Sequence, residues 1–275
     1  MRVAVIGAAG QLGSDLVEAF DAVPLKHGEI DVADPDSLRI LSDIMPDVVI
    51  NAAAYVRVDD AEVEAEEAFR VNSIGALNVA RACDEIGAIN VYISTDYVFD
   101  GAKGEPYGEE DAANPINIYG LSKLAGEIAT RNYSSKHYVI RVASLYGRAG
   151  SGNFVKSIIK KARNEGEIRV VDDVFMSPTY TKDVSNVLRQ FVYITPEFGV
   201  YHLVNEGHCS WYDFAKSILD ILGEEVPAAP IKSDDLGRRA RRPAISALRN
   251  RKLDDLGLKM RGWKEALRDY LVVEI

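Results

Sequence analysis

The sequence predicts an α/β fold, a doubly wound parallel sheet followed by a smaller second domain, and three observations carry that prediction. Short apolar runs alternate with amphipathic stretches through the first half of the chain, the pattern of βαβ units around a sheet buried on both faces. A glycine-rich turn, Gly7 to Gly13, follows the first apolar run and opens the first amphipathic stretch. After Gly147 the alternation loosens and a different mixture of elements takes over.

Taken in order, "RVAVIG" reads as a strand, "QLGSDLVEAF" as a helix and "AVPL" as a short strand. "DPDSLRILSDI" starts a helix with Asp34 as cap, Pro35 in the first helical position and Ser37 following. The strand "DVVINAAA", the helix "AEEAFRVNSIGALNVARACDEIG" and the strand "INVYIST" come next. In "NPINIYGLSKLAGE" Asn114 and Pro115 can open a helix whose apolar side is Ile118, Leu121, Leu124, Ala125 and Ile128. Tyr119, Ser122, Lys123 and Gly126 then share another face. "HYVIRVASLYG" supplies a further strand. Beyond it lie helix-like "NFVKSIIKKARNEG", strand-like "EIRVV", helix-like "YTKDVSNVLRQFV", strand-like "GVYHLV" and a helix from Ser210 through Leu222. "GEEVPAAPIKSDDLGRRARRPAIS" is expected to be loop-rich. The expected division is a nucleotide-binding domain at 1–147 and 179–205, with a substrate-binding domain at 148–178 and 206–275.

Composition excludes several functions. The 275 residues are 47% hydrophobic and 27% charged, as in a globular chain with room for a substantial core. No apolar run reaches the roughly 18 residues of a spanning helix, and the amino terminus opens on a strand rather than a leader, so a cytoplasmic location without membrane association is expected. A formal net charge of −10 repels nucleic-acid backbones. The four histidines, His27, His137, His202 and His208, show no ligand spacing, and no bound metal is expected. Cys83 and Cys209 read as structural thiols.

The chemistry-bearing motifs fall at the turns. Gly7, Gly10 and Gly13 permit a tight turn, close approach of a pyrophosphate to backbone N–H groups, and tight packing of helix on strand. Gln11 and Leu12 complete that turn. Tyr119 and Lys123 stand one helical turn apart, so an ammonium can stabilise a phenolate whose ordinary pKa of about 10 suits it poorly to neutral-pH proton transfer. Thr95 ends an apolar strand at the carboxyl edge of the sheet, where ligands bind in open α/β folds.

The G-x-x-G-x-x-G spacing, "NAAA" at 51–54, "STD" at 94–96 and "YGLSK" at 119–123 occur in one order along the chain, and in that order the chain resembles the extended short-chain dehydrogenase/reductase superfamily. Longer segments, "STDYVFDG", "PYGEEDAANPINIYGLSKLAGE", "VVDDVFMSPTYTKDV", "GVYHLVNEGHCSWYDFA" and "RRPAISALRNRKL", resemble the dTDP-4-dehydrorhamnose reductase family over nearly the whole chain. That resemblance implies a Rossmann-like sheet and reduction of the C4 keto group of a nucleotide-linked deoxysugar. Tyr119 would be the proton donor, Lys123 would tune it and hold the nicotinamide ribose, and Thr95 would orient the carbonyl. Ala52, Ala53 and Ala54 would line the cofactor path and Asp31 and Val32 would flank the adenine. Thr95, Asp96, Tyr97 and Ser144 would meet the substrate.

Lys26 and His27 at the end of the second strand favour NADPH over NADH, while Glu29 argues for NADH. Tyr97 stands where a sugar dehydratase carries glutamate, which favours reduction over loss of water. Arg238, Arg239, Arg241 and Arg242 offer guanidinium forks to the diphosphate of a nucleotide sugar, or else form a solvated basic loop. Three positions depart from the family: Ser144 where a sugar-contacting Trp is usual, and Val174 and Met176 in place of Gln and Gly. Some relatives dimerise with Mg²⁺ through glutamates, one of which corresponds to Asp15, so a homodimer is an expectation without bound metal. The altered Ser144 position also keeps open a different class, the NADP-binding regulatory subunit of methionine adenosyltransferase.

Overall fold

The structure, a computed structural model, describes residues 1–150 and 152–274. The nucleotide-binding half runs β1 (Val3–Ile6), α1 (Gln11–Phe20), β2 (Val23–Leu25), α2 (Ile40–Ile44), β3 (Val48–Asn51), α3 (Val58–Ala61), α4 (Ala65–Phe69), α5 (Gly75–Ile86), β4 (Ile89–Thr95), α6 (Ile118–Tyr133) and β5 (His137–Val142). It continues through β6 (Leu145–Tyr146), α7 (Phe154–Asn164), β7 (Ile168–Val171), β8 (Phe175–Met176), β9 (Thr179–Tyr180), α8 (Thr181–Ile194) and β10 (Gly199–His202). Last come β11 (Cys209–Ser210), α9 (Trp211–Leu222), β12 (Ala228–Ile231), α10 (Arg251–Asp255) and α11 (Trp263–Glu274).

Six parallel strands form the main sheet in the order β10-β5-β4-β3-β1-β2. The chain winds outward in both directions from β1 and β3, so the switch point lies between them and opens a crevice beyond their carboxyl ends. All four residues of β1 and all four of β3 are buried, because helices cover both faces of the sheet. One covering layer packs α1 and α8 with Leu16, Leu188 and Phe191; the other packs Leu38, Leu41, Val79 and Cys83. Pro24 is tolerated in β2 because that strand is the sheet's edge.

A second lobe gathers α7, α9 and α11 around short strand pairs, β7 with β12 and β8 with β11. Its core is aromatic, with Tyr146, Tyr180, Phe214, Trp263 and Tyr270. The two cores interleave along the chain. Leu253, Leu258 and Met260, expected in the smaller domain, belong to the main-sheet core, with α10 against β10, while Tyr146 and Tyr180, expected in the larger, pack in the second lobe.

Several expected elements have changed bounds or faces. Asp34 does cap its turn, accepting from the Asp36 N–H at 3.0 Å, and Ser210 caps α9. The long helix expected across 65–87 is broken by a π-helical segment at Arg70–Ile74. The "loop-rich" segment contributes β12, masked by Pro230 within it and Pro227 just before it. α6 starts at Ile118 with Asn117 as its cap, three residues after the expected start. Its faces are also inverted: Ser122, Lys123, Gly126 and Glu127 are buried, whereas Leu121 and Ile128 are 44% and 50% exposed. The reason is distance of approach. A Cβ on Gly126 would lie 2.2 Å from the Asn72 carbonyl oxygen, so only a face of small and hydrogen-bonded residues fits against that neighbour.

Candidate active site

The crevice above the switch point holds two adjoining cavities. One, of about 460 Å³, is lined by Gly7, Gly10, Asp31, Val32, Ala52, Ala53 and Ala54, together with His27, Arg57 and Arg70. The other, of about 520 Å³, is lined by Gly10, Gln11, Leu12, Gly13, Thr95, Asp96, Tyr119, Lys123 and Ser144. Ala9, Gly10, Ala52, Ala54 and Val56 border both, so the two form one cleft.

The glycine turn fits a dinucleotide. Gly7 adopts φ 81°, and a Cβ there would stand 2.8 Å from the Ala52 carbonyl carbon, so the β1 turn can lie directly against the β3 end. No side chain caps the amino terminus of α1 at Gly10, which leaves its first N–H groups facing the cleft for an anionic group. Asp31 is held by its own turn: its carboxylate accepts from Ala33 N–H at 3.0 Å and from Arg70 at 3.3 Å. That backbone hydrogen bond, helped by Arg70, keeps the carboxyl below its usual pKa.

The pair expected at the second strand divides. Lys26 is exposed and does not line the cavity, whereas His27 does. The cause is a tight turn in which Glu29 N–H and Ile30 N–H donate to Lys26 O at 2.8 and 3.0 Å. The Glu29 carboxylate closes that turn by accepting from Lys26 N–H at 2.8 Å, so it too stays outside the wall.

At the floor of the cleft, Thr95 ends β4 and caps the following turn, accepting from Tyr97 N–H at 3.2 Å. Its hydroxyl donates to Asp96 Oδ1 at 3.0 Å and stands beside the Tyr119 phenol. Tyr119 also meets the Tyr97 ring edge-on, with centroids 5.8 Å apart. Lys123 is buried, donates to Ile93 O at 2.6 Å, and sits 4.1 Å over the Tyr92 ring. Burial pushes its pKa down to about 7, against the opposing pull of Glu127. Burial likewise pushes the Tyr119 phenol up, with only Thr95 pulling it down. The protein alone therefore reverses the expected lowering of that phenol: the ammonium is turned to the Ile93 carbonyl, and desolvation decides the direction.

Sequence reasoning missed the residues that hold this floor. Asn72, on the π-helical segment, accepts from Tyr55 N–H at 2.9 Å and donates to Tyr55 O and Ser122 Oγ, each at 3.0 Å. It thereby ties the cleft wall to the turn carrying Tyr119, and a π segment beside a site was the signal available. Glu127 forms a buried bidentate pair with Arg141, at 2.9 and 2.7 Å, and accepts from Ser94 at 2.5 Å.

The remaining predicted residues separate. Ser144 lines the cleft with φ 42°, a left-handed conformation that few non-glycine residues adopt. Tyr97 packs behind Tyr119 rather than in the cavity wall. Arg242 is clamped to Asp59 at 2.8 and 2.7 Å, and Arg238 stands near Tyr97 and within the field of Asp59. Arg238, Arg239 and Arg241 are exposed, and none of the four arginines lines either cavity of the cleft. Val174 and Met176 are buried and do not line the cleft; Met176 packs in the second-lobe core. Asp15 accepts a hydrogen bond from Thr181, which ties α1 to α8. No metal-binding cluster of carboxylates, histidines and cysteines occurs among the described residues, and none of their helices is long and apolar enough to cross a membrane.

Comparison with known proteins gives consistent matches. The family model of the RmlD substrate binding domain matches residues 1–274. The chain is 40% identical to the spore coat polysaccharide biosynthesis protein SpsK of Bacillus subtilis, covering 98% of this chain and 96% of that one. It is 36% identical to dTDP-4-dehydrorhamnose reductase of Aggregatibacter actinomycetemcomitans, covering 98% and 97%. Among solved structures, dTDP-4-dehydrorhamnose reductase of Bacillus anthracis in complex with NADP superposes with a TM-score of 0.95 at 38% identity, covering 98% of each chain.

Proposed function

The chain belongs to the dTDP-4-dehydrorhamnose reductase family of extended short-chain dehydrogenase/reductases, and from that premise we propose that it reduces the C4 ketone of a dTDP-linked 4-keto-6-deoxysugar with NADPH. The observation that carries the reading is the juxtaposition of Thr95, Tyr119 and Lys123 on one wall of a cleft whose other end is a glycine turn. When bound, the dinucleotide supplies the hydride. Tyr119, kept protonated by burial, delivers the proton to the C4 oxygen. Lys123, fixed by Ile93 O and poised near neutrality, supplies positive charge as the phenol gives up its proton.

For a 2′-phosphate this reading turns to Arg57 and Arg70, which line the cavity with His27; Arg57 is shared with Asp60 and Glu64, and Arg70 with Glu67 and Asp31. For the substrate diphosphate this reading turns to Arg238, beside Tyr97, while Arg242, held by Asp59, braces the loop that carries it. The same reading places catalysis in the cytoplasm and assigns cofactor binding to the sheet lobe and sugar binding to the second lobe.

The test is loss of 340 nm absorbance from NADPH in the presence of enzymatically generated dTDP-4-keto-6-deoxy-L-sugar. Tyr119→Phe should lower kcat by roughly 10²–10⁴-fold and leave NADPH affinity within about twofold. Turnover unaffected by that substitution would remove Tyr119 from the mechanism.

A further inference from the structure

Asp96 is 3% exposed, faces the reacting end of the cleft, and is not needed for hydride or proton delivery as derived above. Its Oδ1 accepts the Thr95 hydroxyl at 3.0 Å. Its Oδ2 is buried without a hydrogen bond of ordinary geometry, beside the Ser246 hydroxyl. The Thr95 oxygen already accepts from Tyr97 N–H at 3.2 Å.

A threonine hydroxyl has one proton. While the neighbouring carboxylate is ionised it can only accept, and the Thr95 proton is committed to it. Thr95 then turns a lone pair toward the cavity, where a ketone oxygen, itself an acceptor, gains nothing from it. A protonated carboxyl reverses this: its O–H donates to Thr95 Oγ1, and the Thr95 proton is free to point at the ketone oxygen. The proton on the carboxyl comes from solvent, so Asp96 gains one proton while Thr95 keeps its own and only changes the partner it donates to.

We propose that Asp96 is a positioning residue for the Thr95 hydroxyl, holding it as an acceptor while ionised and releasing it as a donor to the reacting oxygen when protonated. This rests on the reductase reading of the same cleft. Burial, opposed by hydrogen bonds from Ser246, Thr95 and the turn's backbone N–H groups, pushes the Asp96 pKa up to about 6, so the switch lies within reach of neutral pH. The other titratable groups that face it are the phenols of Tyr97 and Tyr119, both pushed upward and neutral throughout that window. Lys123 titrates separately, near 7.

The experiment is the pH profile of kcat/KM for the keto-sugar at saturating NADPH, for the wild type, Asp96→Asn, Thr95→Ala and the two combined. In Asp96→Asn the amide donates permanently to Thr95, so the ratio of its kcat/KM to the wild-type value should climb roughly tenfold between about pH 5.5 and 7.5. Thr95→Ala should be slower throughout, and adding Asp96→Asn to it should leave a ratio that does not change with pH, since the Lys123 titration cancels in both ratios. A constant ratio in the Thr95 background, or a rise that survives in the Thr95→Ala background, overturns the inference even though turnover itself stands. If the wild type does not turn the sugar over, the reductase reading falls and a second readout decides: the Asp96 carboxyl ¹³C resonance in the NADPH complex. It should titrate between about pH 5 and 7, with its midpoint raised in Thr95→Val; a midpoint that ignores Thr95 removes the coupling.

Discussion

The floor of the cleft and the core of the second lobe are equally buried and built from opposite chemistry. At the floor, Thr95, Asp96, Lys123, Glu127 and Arg141 are each no more than 6% exposed, and Ser144 holds a left-handed backbone. In the second lobe the same degree of burial encloses rings. Phe214 stacks on Phe154 at 5.6 Å and meets Trp263 edge-on at 5.8 Å, while Tyr146 meets Tyr270 at 5.2 Å. Burial stabilises the second arrangement through lost apolar surface and opposes the first through desolvation of charge. Substitutions in the two regions should therefore move stability in opposite directions.

The largest effect is expected in the lobe. Phe214→Ala removes a ring that is 1% exposed and should lower unfolding free energy by about 3–5 kcal/mol in urea titrations. Turnover per folded molecule should stay near the wild-type value. A matching loss of turnover would show that the lobe's packing and the cleft are one mechanical unit.

Lys123→Met should do the reverse, abolishing turnover while stabilising the fold. The folded-state pKa of Lys123 is depressed to about 7 from 10.5. Its favourable contribution is present above the unfolded pKa and lost as pH falls through 7, because the buried cation is then charged. The methionine variant should thus exceed the wild type by about 2–3 kcal/mol at pH 6, a figure discounted from the full shift, with the gap closing toward pH 10. Equal stability at both pH values would mean that the ammonium is solvated in a way its burial does not show.

Asp96→Asn sharpens the contrast with the opposite sign of pH dependence. The Asp96 pKa is raised to about 6 from 3.8, so its contribution is intact below the unfolded value and lost as pH rises through 6. The variant should match the wild type near pH 4 and exceed it by about 2 kcal/mol at pH 7.5. Chemical denaturation at the two pH values reads this directly.

These contrasts also explain what the sequence disclosed. The sheet was legible because β1, β3 and β4 are apolar runs buried on both sides, and the turn because Gly7, Gly10 and Gly13 follow one of them. Thr95, Tyr119 and Lys123 were legible through motif order, and all three line the cleft. The face of α6 was misread because hydrophobicity marks what is buried against apolar neighbours, and this helix buries its polar side on Asn72 and Tyr92. Glu127 with Arg141 and Asp31 with Arg70 were invisible for a related reason. Each pair joins residues from separate elements, and no local pattern records such a partner.

The smallest expected effect tests whether strain belongs to the floor as well as charge. Ser144 has φ 42°, and its carbonyl accepts from Thr179 N–H at 3.2 Å, which fixes the conformation by pairing β6 with β9 just beyond it. A left-handed L-residue costs about 1 kcal/mol relative to glycine, partly offset by the greater freedom of glycine in the unfolded chain. Ser144→Gly should therefore stabilise by about 0.5 kcal/mol, measured in urea. If its hydroxyl also meets the sugar, KM should rise while kcat is held, because the strain is relieved without moving Thr95 or Tyr119. Destabilisation instead would mean that the serine hydroxyl holds the turn, and that the departure from the family's bulky residue serves the fold rather than the substrate.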